Sequence, residues 1–322
     1  MRLLLLLLWF WVSAFTAQAH EVRPSYLSIT ETAPSKFSVI WKQPVLDGKR
    51  LKIALTFPEE CTKTPPQMTW QAGSISEHST LSCTLIEGDI SFLGLERTIT
   101  DIFVSISYLS REKRTALIKP SNPTMNLGDQ AKSATVQYFS IGVEHIIFGW
   151  DHLLFVIGLI LLVARRQLLG VVTAFTLAHS ITLGLAAFGL LNIPTRPVEI
   201  LIAASIVMLG IEIIRKQHGS KSLATRRPYL ISFIIGLIHG CGFASALSEI
   251  GLPKETELLA LLFFNLGVEF GQFSVIGLAL IILFFIAKVG KETLRKTETF
   301  LTYGLSSIAM FWVMQRLSDY II

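Results

Sequence analysis

The pattern of apolar and polar side chains changes character twice along the chain. Met1 to Ala19 opens with Arg2, runs without a charge from Leu3 to Phe15, and ends in the small-x-small triplet Ala17-Gln18-Ala19. That order reads as a cleaved secretory signal peptide over residues 1–19. From residue 20 to about 135 the period is two. Tyr26 to Thr30, Lys36 to Trp41, Leu51 to Phe57 and Asp101 to Tyr108 each alternate apolar with polar side chains, as half-buried strands do. Asp47-Gly48 and Glu87-Gly88-Asp89 punctuate them, supplying turn residues. Several short strands at this spacing predict a small exported β-sandwich-like domain. Ser121-Asn122-Pro123 to Asp129 reads as the linker that leaves it.

Beyond residue 136 the alternation gives way to long apolar segments, near 138–164, 168–191, 195–214, 229–249, 257–287 and 299–316. All but the last reach the roughly 20 residues that a membrane-crossing helix needs, and the last falls slightly short. The expected fold class is mainly α: a polytopic six-helix membrane bundle over 136–322, preceded by the exported domain over 20–135.

Composition supports that division. Charged residues make up only 16% of the chain, against about 25% in soluble proteins. The formal net charge of +5 is not a nucleic-acid signal, because the basic residues of the second half lie between apolar segments. Arg165 and Arg166 follow the first segment. Arg215, Lys216, Lys221, Arg226 and Arg227 follow the third, and Lys288, Lys291, Arg295 and Lys296 follow the fifth. The positive-inside rule puts these loops in the cytoplasm of a bacterial-type cytoplasmic (inner) membrane. The exported domain and the C-terminus are then expected outside. The lipid bilayer is the implied partner, with an extracytoplasmic partner of the first domain conceivable and no nucleic acid.

Cys61 and Cys83 both fall in the exported segment, where an oxidising compartment makes them a disulfide candidate. Cys241 lies in an apolar segment and reads as a small packing residue. His20-Glu21 would form the mature N-terminus, an amine-plus-imidazole pair able to chelate copper or nickel. One terminal histidine is read as an ordinary residue.

The membrane half carries its chemistry in apolar surroundings. Gly142 to Phe155 holds Glu144, His145, Asp151 and His152, with both like pairs seven residues apart. On one continuous helix that is about two turns, so all four fall in adjoining stripes of one face. Further along come His179, Glu199, His239, and the helix-spaced set Asn265, Glu269 and Gln272. Counting rise along each segment puts Asp151, His152, His179, His239 and Glu269 near mid-bilayer, with Glu144, His145 and Glu199 nearer the outer side. Ionisable groups are expensive there and mark a pathway or a site. Imidazole together with carboxylate suits nickel, cobalt, zinc or copper(II). Gly149 and the glycines near the other histidines are expected to let helices approach closely. Thr176, Ser180 and Thr182 are expected to bond their own helix backbone. Glu212 and Glu249, at segment ends, read as interfacial, and His218 as solvated.

His145-Ile146-Ile147-Phe148-Gly149-Trp150-Asp151-His152 resembles the first-helix motif His-Pro-x-x-Gly-x-Asp-His of the HupE/UreJ family, with Ile146 where proline is expected. Phe175 to Leu183, Pro197-Val198-Glu199, His239 to Ala244 and Phe264 to Glu269 are similar to the family branch that adds an exported N-terminal domain. The motif is also similar to the His-x4-Asp-His of nickel/cobalt transporters, with one residue more between the histidine and the Asp-His pair. The resemblance implies a divalent-metal permease of nickel/cobalt type. His145, Asp151, His152, His179, His239 and Glu269 would be its ligands, and Glu144, Glu199 and Asn265 an entrance or support. No nucleotide-binding loop is present, so an ATP pump is disfavoured. The first rival reading is an intramembrane zinc-dependent hydrolase, in which three imidazoles hold zinc with an open position. The second is a haem b electron carrier.

Overall fold

In a computed structural model of the chain the described residues are 25–46, 49–71, 74–111, 113–128, 134–191, 193–220, 223–250 and 257–321. The expected signal peptide and His20-Glu21 lie outside them. The chain divides into two compact units, a β-rich one up to Gln137 and a helical one from Tyr138.

The β-rich unit has eleven described strands in two sheets. They are β1 Ser25–Ala33, β2 Lys36–Leu46, β3 Lys49–Arg50, β4 Ala54–Thr56, β5 Thr62–Lys63, β6 Gln67–Gln71, β7 Ser74–Ser82, β8 Asp89–Leu93, β9 Ile102–Ser107, β10 Arg114–Ile118 and β11 Thr124–Asn126. The larger sheet runs β10-β9-β1-β2-β7-β5, with β3 on β2 and β6 on β7, and the smaller runs β11-β8-β4. Strand β1 pairs antiparallel with β2 and parallel with β9. The inward positions of the alternating runs, including Leu27, Ile29, Val39, Trp41, Val104 and Ile106, form one buried core. Trp41 on β2 meets Phe92 on β8 at 5.8 Å between ring centroids, so the two sheets share that core as the layers of a sandwich do. The run expected as a strand over Leu51 to Phe57 pairs only over β4, Ala54–Thr56. Cys61 and Cys83 are disulfide-bonded, with Cα atoms 4.7 Å apart. They flank the β5–β7 pairing of Thr62 with Ser82.

The helical unit consists of α1 Ala134–Phe148, α2 Trp150–Leu162, α3 Arg165–Ala187, α4 Thr195–Gln217, α5 Leu223–Arg226, α6 Pro228–Ile250, α7 Glu257–Val289 and α8 Lys291–Ile321. Phe155, Leu159, Val172, Phe175, Leu209 and Trp312 belong to its buried core. Among the described residues three helices are long and apolar enough to cross a membrane: α3, α4, and Leu258–Val289 of α7. They correspond to the second, third and fifth expected segments. The first expected segment is not one helix: α1 and α2 meet at Gly149 with a bend of 70° and together count as a fourth candidate span. In α6 the described apolar stretch is the shorter Pro228–Gly242. Helix α8 opens with Lys291, Glu292, Arg295, Lys296 and Glu298 and continues through Thr302, Ser306 and Ser307. It is long but not apolar enough to rank with the three. Apolar helices of this kind mark the chain as a membrane protein.

The bend has a local cause. Gly149 sits at φ −76°, ψ 91°, outside the helical region. Its N–H still bonds the His145 carbonyl at 3.0 Å, and its own carbonyl accepts the Leu153 N–H at 2.9 Å. The hydrogen-bond ladder therefore carries on while the axis turns. A Cβ here would run into the His145 carbonyl and stand 3.2 Å from His152 Nδ1. Gly149 thus turns the chain, where the sequence reading had it admitting a neighbouring helix.

The ends of these helices are tied down by polar groups. Lys216 Nζ on α4 donates to the Leu161 carbonyl at 2.9 Å, supplying a cation at the C-terminal end of α2 where the helix dipole favours one. Glu212, near the end of α4, is buried. It accepts from Arg215 Nη1 at 3.0 Å and from the Ala224 N–H at 3.3 Å, fastening α5 to α4. The Glu249 side chain lies outside the described residues. His218 is exposed, with Nδ1 2.8 Å from the Ile214 carbonyl.

Candidate metal centre

The bend brings together residues that a straight helix would hold apart. Seven residues of continuous α-helix rise about 10 Å. Across Gly149 the His145 and His152 rings lie 4.5 Å apart between centroids. Helix α3 adds His179, 6.1 Å from the His145 ring and 5.9 Å from the His152 ring. One nitrogen from each of the three imidazoles can be chosen so that all lie within 4.8 Å of one another. Sequence reasoning put His145 nearer the outer side than His152. The bend folds it back into the same cluster.

Hydrogen bonds orient two of the neighbouring rings. Asp151 Oδ1 accepts the His152 backbone N–H at 2.8 Å and lies 2.9 Å from His152 Nδ1. A carboxylate on that nitrogen holds the proton there and leaves the Nε2 lone pair outward. His152 Nε2 is buried with no hydrogen-bond partner. Asp151 therefore stands behind His152 as its orienting group.

His239 on α6 stacks against the same cluster, 5.0 Å from the His152 ring and 5.2 Å from Phe175. It is not among the three nitrogens that converge. Ser205 on α4 donates its hydroxyl proton to the Ile202 carbonyl at 2.7 Å and lies 3.1 Å from His239 Nε2. With its own proton committed, the serine oxygen accepts one from Nε2. His239 Nδ1 is then the bare nitrogen, and it too is buried without a partner. Both ring nitrogens of His179 are in the same condition, as is Asn265 Oδ1. Asn265 stands beside the His179 ring, and its Nδ2 donates to the Leu261 carbonyl at 2.8 Å.

Buried polar atoms in proteins are nearly always satisfied. A cluster of orphaned imidazole nitrogens facing one another is therefore the arrangement a cation would complete. Neutral imidazole is a borderline-soft donor suited to nickel, cobalt, zinc and copper.

The remaining candidates are not among the three converging residues. Glu269 accepts from Thr173 Oγ1 at 2.7 Å, and Gln272 accepts from Thr176 Oγ1 at 2.8 Å. These two pairs stitch α3 to α7. Ser180 and Thr182 bond their own helix backbone, through the Thr176, Ala178 and His179 carbonyls. Thr176 does so as well, besides reaching Gln272. Glu199 on α4 pairs loosely with Arg316 on α8, Nε to Oε2 3.9 Å. Glu144 is half-buried on α1. Close backbone approach at Gly240, where a Cβ would strike Thr182 Oγ1 and the His179 carbonyl, seats α6 against α3 beside the cluster. Three residues escaped the sequence reading, Thr173, Ser205 and Arg316. Ser205 gives no signal, being one hydroxyl in an apolar helix. Arg316 gives one: it is a single basic residue at the far end of the last apolar run.

The family model described as HupE / UreJ protein matches residues 121–316, more than half of the chain, and the chain belongs to that family. No curated protein and no solved structure matches it.

Proposed function

We propose that this membrane protein is a permease for a divalent transition-metal ion of the nickel/cobalt type. One observation carries the reading: the convergence of His145, His152 and His179 on a common point, in a family associated with metal handling. Neutral imidazoles are strong enough donors to strip water from a small divalent cation, yet exchange it faster than thiolates would. Glu199 and Glu144 serve as the approach from the extracytoplasmic side, and the cation is then held by the three imidazoles. Asp151 keeps His152 in the tautomer that presents Nε2. His239 lies one ring further on and offers Nδ1 as a next position. Thr176 with Gln272, and Thr173 with Glu269, provide oxygen atoms along α3 and α7 for departure.

The membrane half is taken as six spans, with α1–α2 as a broken one. Non-helical backbone at membrane depth is tolerated where it lines a polar site, and Gly149 fits that pattern. The basic residues after α2, α4 and α7 put those ends in the cytoplasm of the inner membrane. The β-rich unit stands outside.

The test is elemental analysis of the purified full-length protein after loading with nickel, cobalt, zinc and copper in turn, paired with uptake into cells that express it. Near-stoichiometric metal that disappears in His152→Ala, together with metal-dependent uptake, is the expected outcome. No bound metal under any loading condition overturns the reading. Retained zinc with hydrolysis of a peptide or lipid and no uptake replaces it with the hydrolase.

A further inference from the structure

Helices α3 and α6 run side by side, parallel and in register. Ser232 Oγ donates to the Val171 carbonyl at 2.8 Å across a sequence offset of 61. A Cβ on Gly236 would strike the Phe175 carbonyl, and one on Gly240 the His179 carbonyl. Both of these pairs keep the same offset. Carried back to the start of the helices, it sets Arg165 and Arg166 level with Arg226 and Arg227. Arg165 and Arg166 open α3, while Arg226 and Arg227 lead into α6, the Arg227 carbonyl accepting the Ile231 N–H at 3.2 Å. Just inside them Tyr229 lies against Gly170, where a Cβ would stand 3.0 Å from Tyr229 Cε1, so the two helix ends meet. All four arginines are exposed. None of them is ion-paired among the described residues. Glu212, which fastens α5, is spent on Arg215 and the Ala224 N–H.

We propose that these four arginines form a headgroup site for an anionic phospholipid, its phosphate held between the pair on α3 and the pair before α6. Helix α3 is long and apolar enough to cross a membrane, so its first turn lies at headgroup depth. Guanidinium groups bind phosphate oxygens two at a time, and basic clusters between membrane helices bind anionic headgroups. Tyr229 is 46% exposed and suits the same boundary, where tyrosine presents ring to lipid and hydroxyl to water. Leu169 on α3 and Leu230 on α6 come next and are exposed and apolar, as acyl chains require. A topological signal needs only basic residues near the end of a span. It does not need two pairs brought level from distant parts of the chain. The site is independent of the permease reading and of any metal.

Native mass spectrometry of the full-length protein tests this, after release from nanodiscs of phosphatidylglycerol and phosphatidylcholine in equal amounts. Wild type is expected to retain phosphatidylglycerol over phosphatidylcholine by about tenfold or more, the scale of one charged hydrogen bond. Arg166→Gln and Arg227→Gln are each expected to cut that preference to about twofold, because both arginines hold one phosphate. Exposed, unpaired side chains can be removed singly without harm to the fold, and three arginines then remain to set topology. Lys288→Gln removes an exposed cation from the end of α7 and should leave the preference within about twofold of wild type. Inorganic phosphate in the release buffer should leave the lipid in place. No preference in wild type overturns the site, as does a loss in only one of the two arginine variants. An equal loss in Lys288→Gln also overturns it, by reducing the effect to general surface charge. Displacement by inorganic phosphate assigns the arginines to a free anion and overturns the lipid.

Discussion

Asp151 Oδ1 sits 2.9 Å from His152 Nδ1 and 2.8 Å from the His152 backbone N–H, so one oxygen fixes both the ring and the start of α2. The bond to the backbone satisfies a donor that the first turn of a helix would otherwise leave open. The bond to the ring decides which nitrogen of His152 faces the other histidines. A single carboxylate thus joins the local structure of the bend to the chemistry of the site.

Asp151→Asn removes the charge that supports His152 while keeping a hydrogen-bond acceptor. Orienting partners of metal-binding histidines are worth roughly 10–100-fold in affinity. A loss in that range is expected by calorimetric titration with zinc or nickel. An affinity equal to wild type would assign Asp151 to the helix start alone.

The three converging imidazoles should outrank His239. Alanine at His145, His152 or His179 is expected to weaken metal binding at least about a hundredfold, the scale of one lost metal ligand or its essential support. His239→Ala should cost less. Ser205→Ala should act through His239, lowering stability by about 1 kcal/mol, as for one lost buried hydrogen bond, with a smaller effect on affinity than His239→Ala. Equal losses at all four histidines would instead make His239 a full member of the site.

Gly149→Ala is expected to displace His145 and His152 from each other. The added methyl meets the His145 carbonyl and His152 Nδ1; overpacking of this kind costs about 1–3 kcal/mol. Circular dichroism should show the helices retained while metal binding is lost. Gly184→Ala is the matched control. It sits in α3 with nothing within 4 Å of the added methyl and should gain about 0.5–1 kcal/mol from the better helix propensity. If Gly149→Ala binds metal normally, the bend is not what assembles the site.

In the β-rich unit, replacing Cys61 and Cys83 by serine opens a loop of 22 residues. Closing a loop of that length contributes about 3 kcal/mol in the chain-entropy model. Limited proteolysis of the full chain should cut the variant's β-rich unit first, with the helical unit left intact. Unchanged resistance would show that the two sheets hold without the bond.

Three of the strands were legible because alternation has a short period and a clear cause. Tyr26 to Thr30, Lys36 to Trp41 and Asp101 to Tyr108 fall within β1, β2 and β9 or extend one residue past its ends. Leu51 to Phe57 alternates as well, yet only its centre finds a partner strand, and partners are not written in periodicity. In the membrane half the residue types of the site could be read from their cost in an apolar setting, but not the path of the backbone. Gly149 is one glycine in an apolar run, and such residues usually serve close packing. The bend at Gly149 is a tertiary fact, and it moved His145 into the cluster. Glu269 shared a spacing with Asn265 and Gln272 but spends its carboxylate on Thr173. Helix spacing gives the face of a helix and not the neighbour it meets. Arg316 was the missed clue with a physical signature, a lone charge where apolar residues end.

The sheet of the β-rich unit also has a schedule. Strand β1 lies between β2, which follows it at once, and β9, whose Ile102 pairs with Ser25. A chain synthesised N-terminus first can make the β1–β2 hairpin early, but one side of β1 stays open until β9 arrives. Such long-range closure is slow and leaves an edge that other chains can join. Strand β9 ends at Ser107 and β10 and β11 are complete by Asn126, all before α1 begins at Ala134. All the described strands therefore precede α1 in the chain, and the open side of β1 finds its partner within the β-rich unit itself.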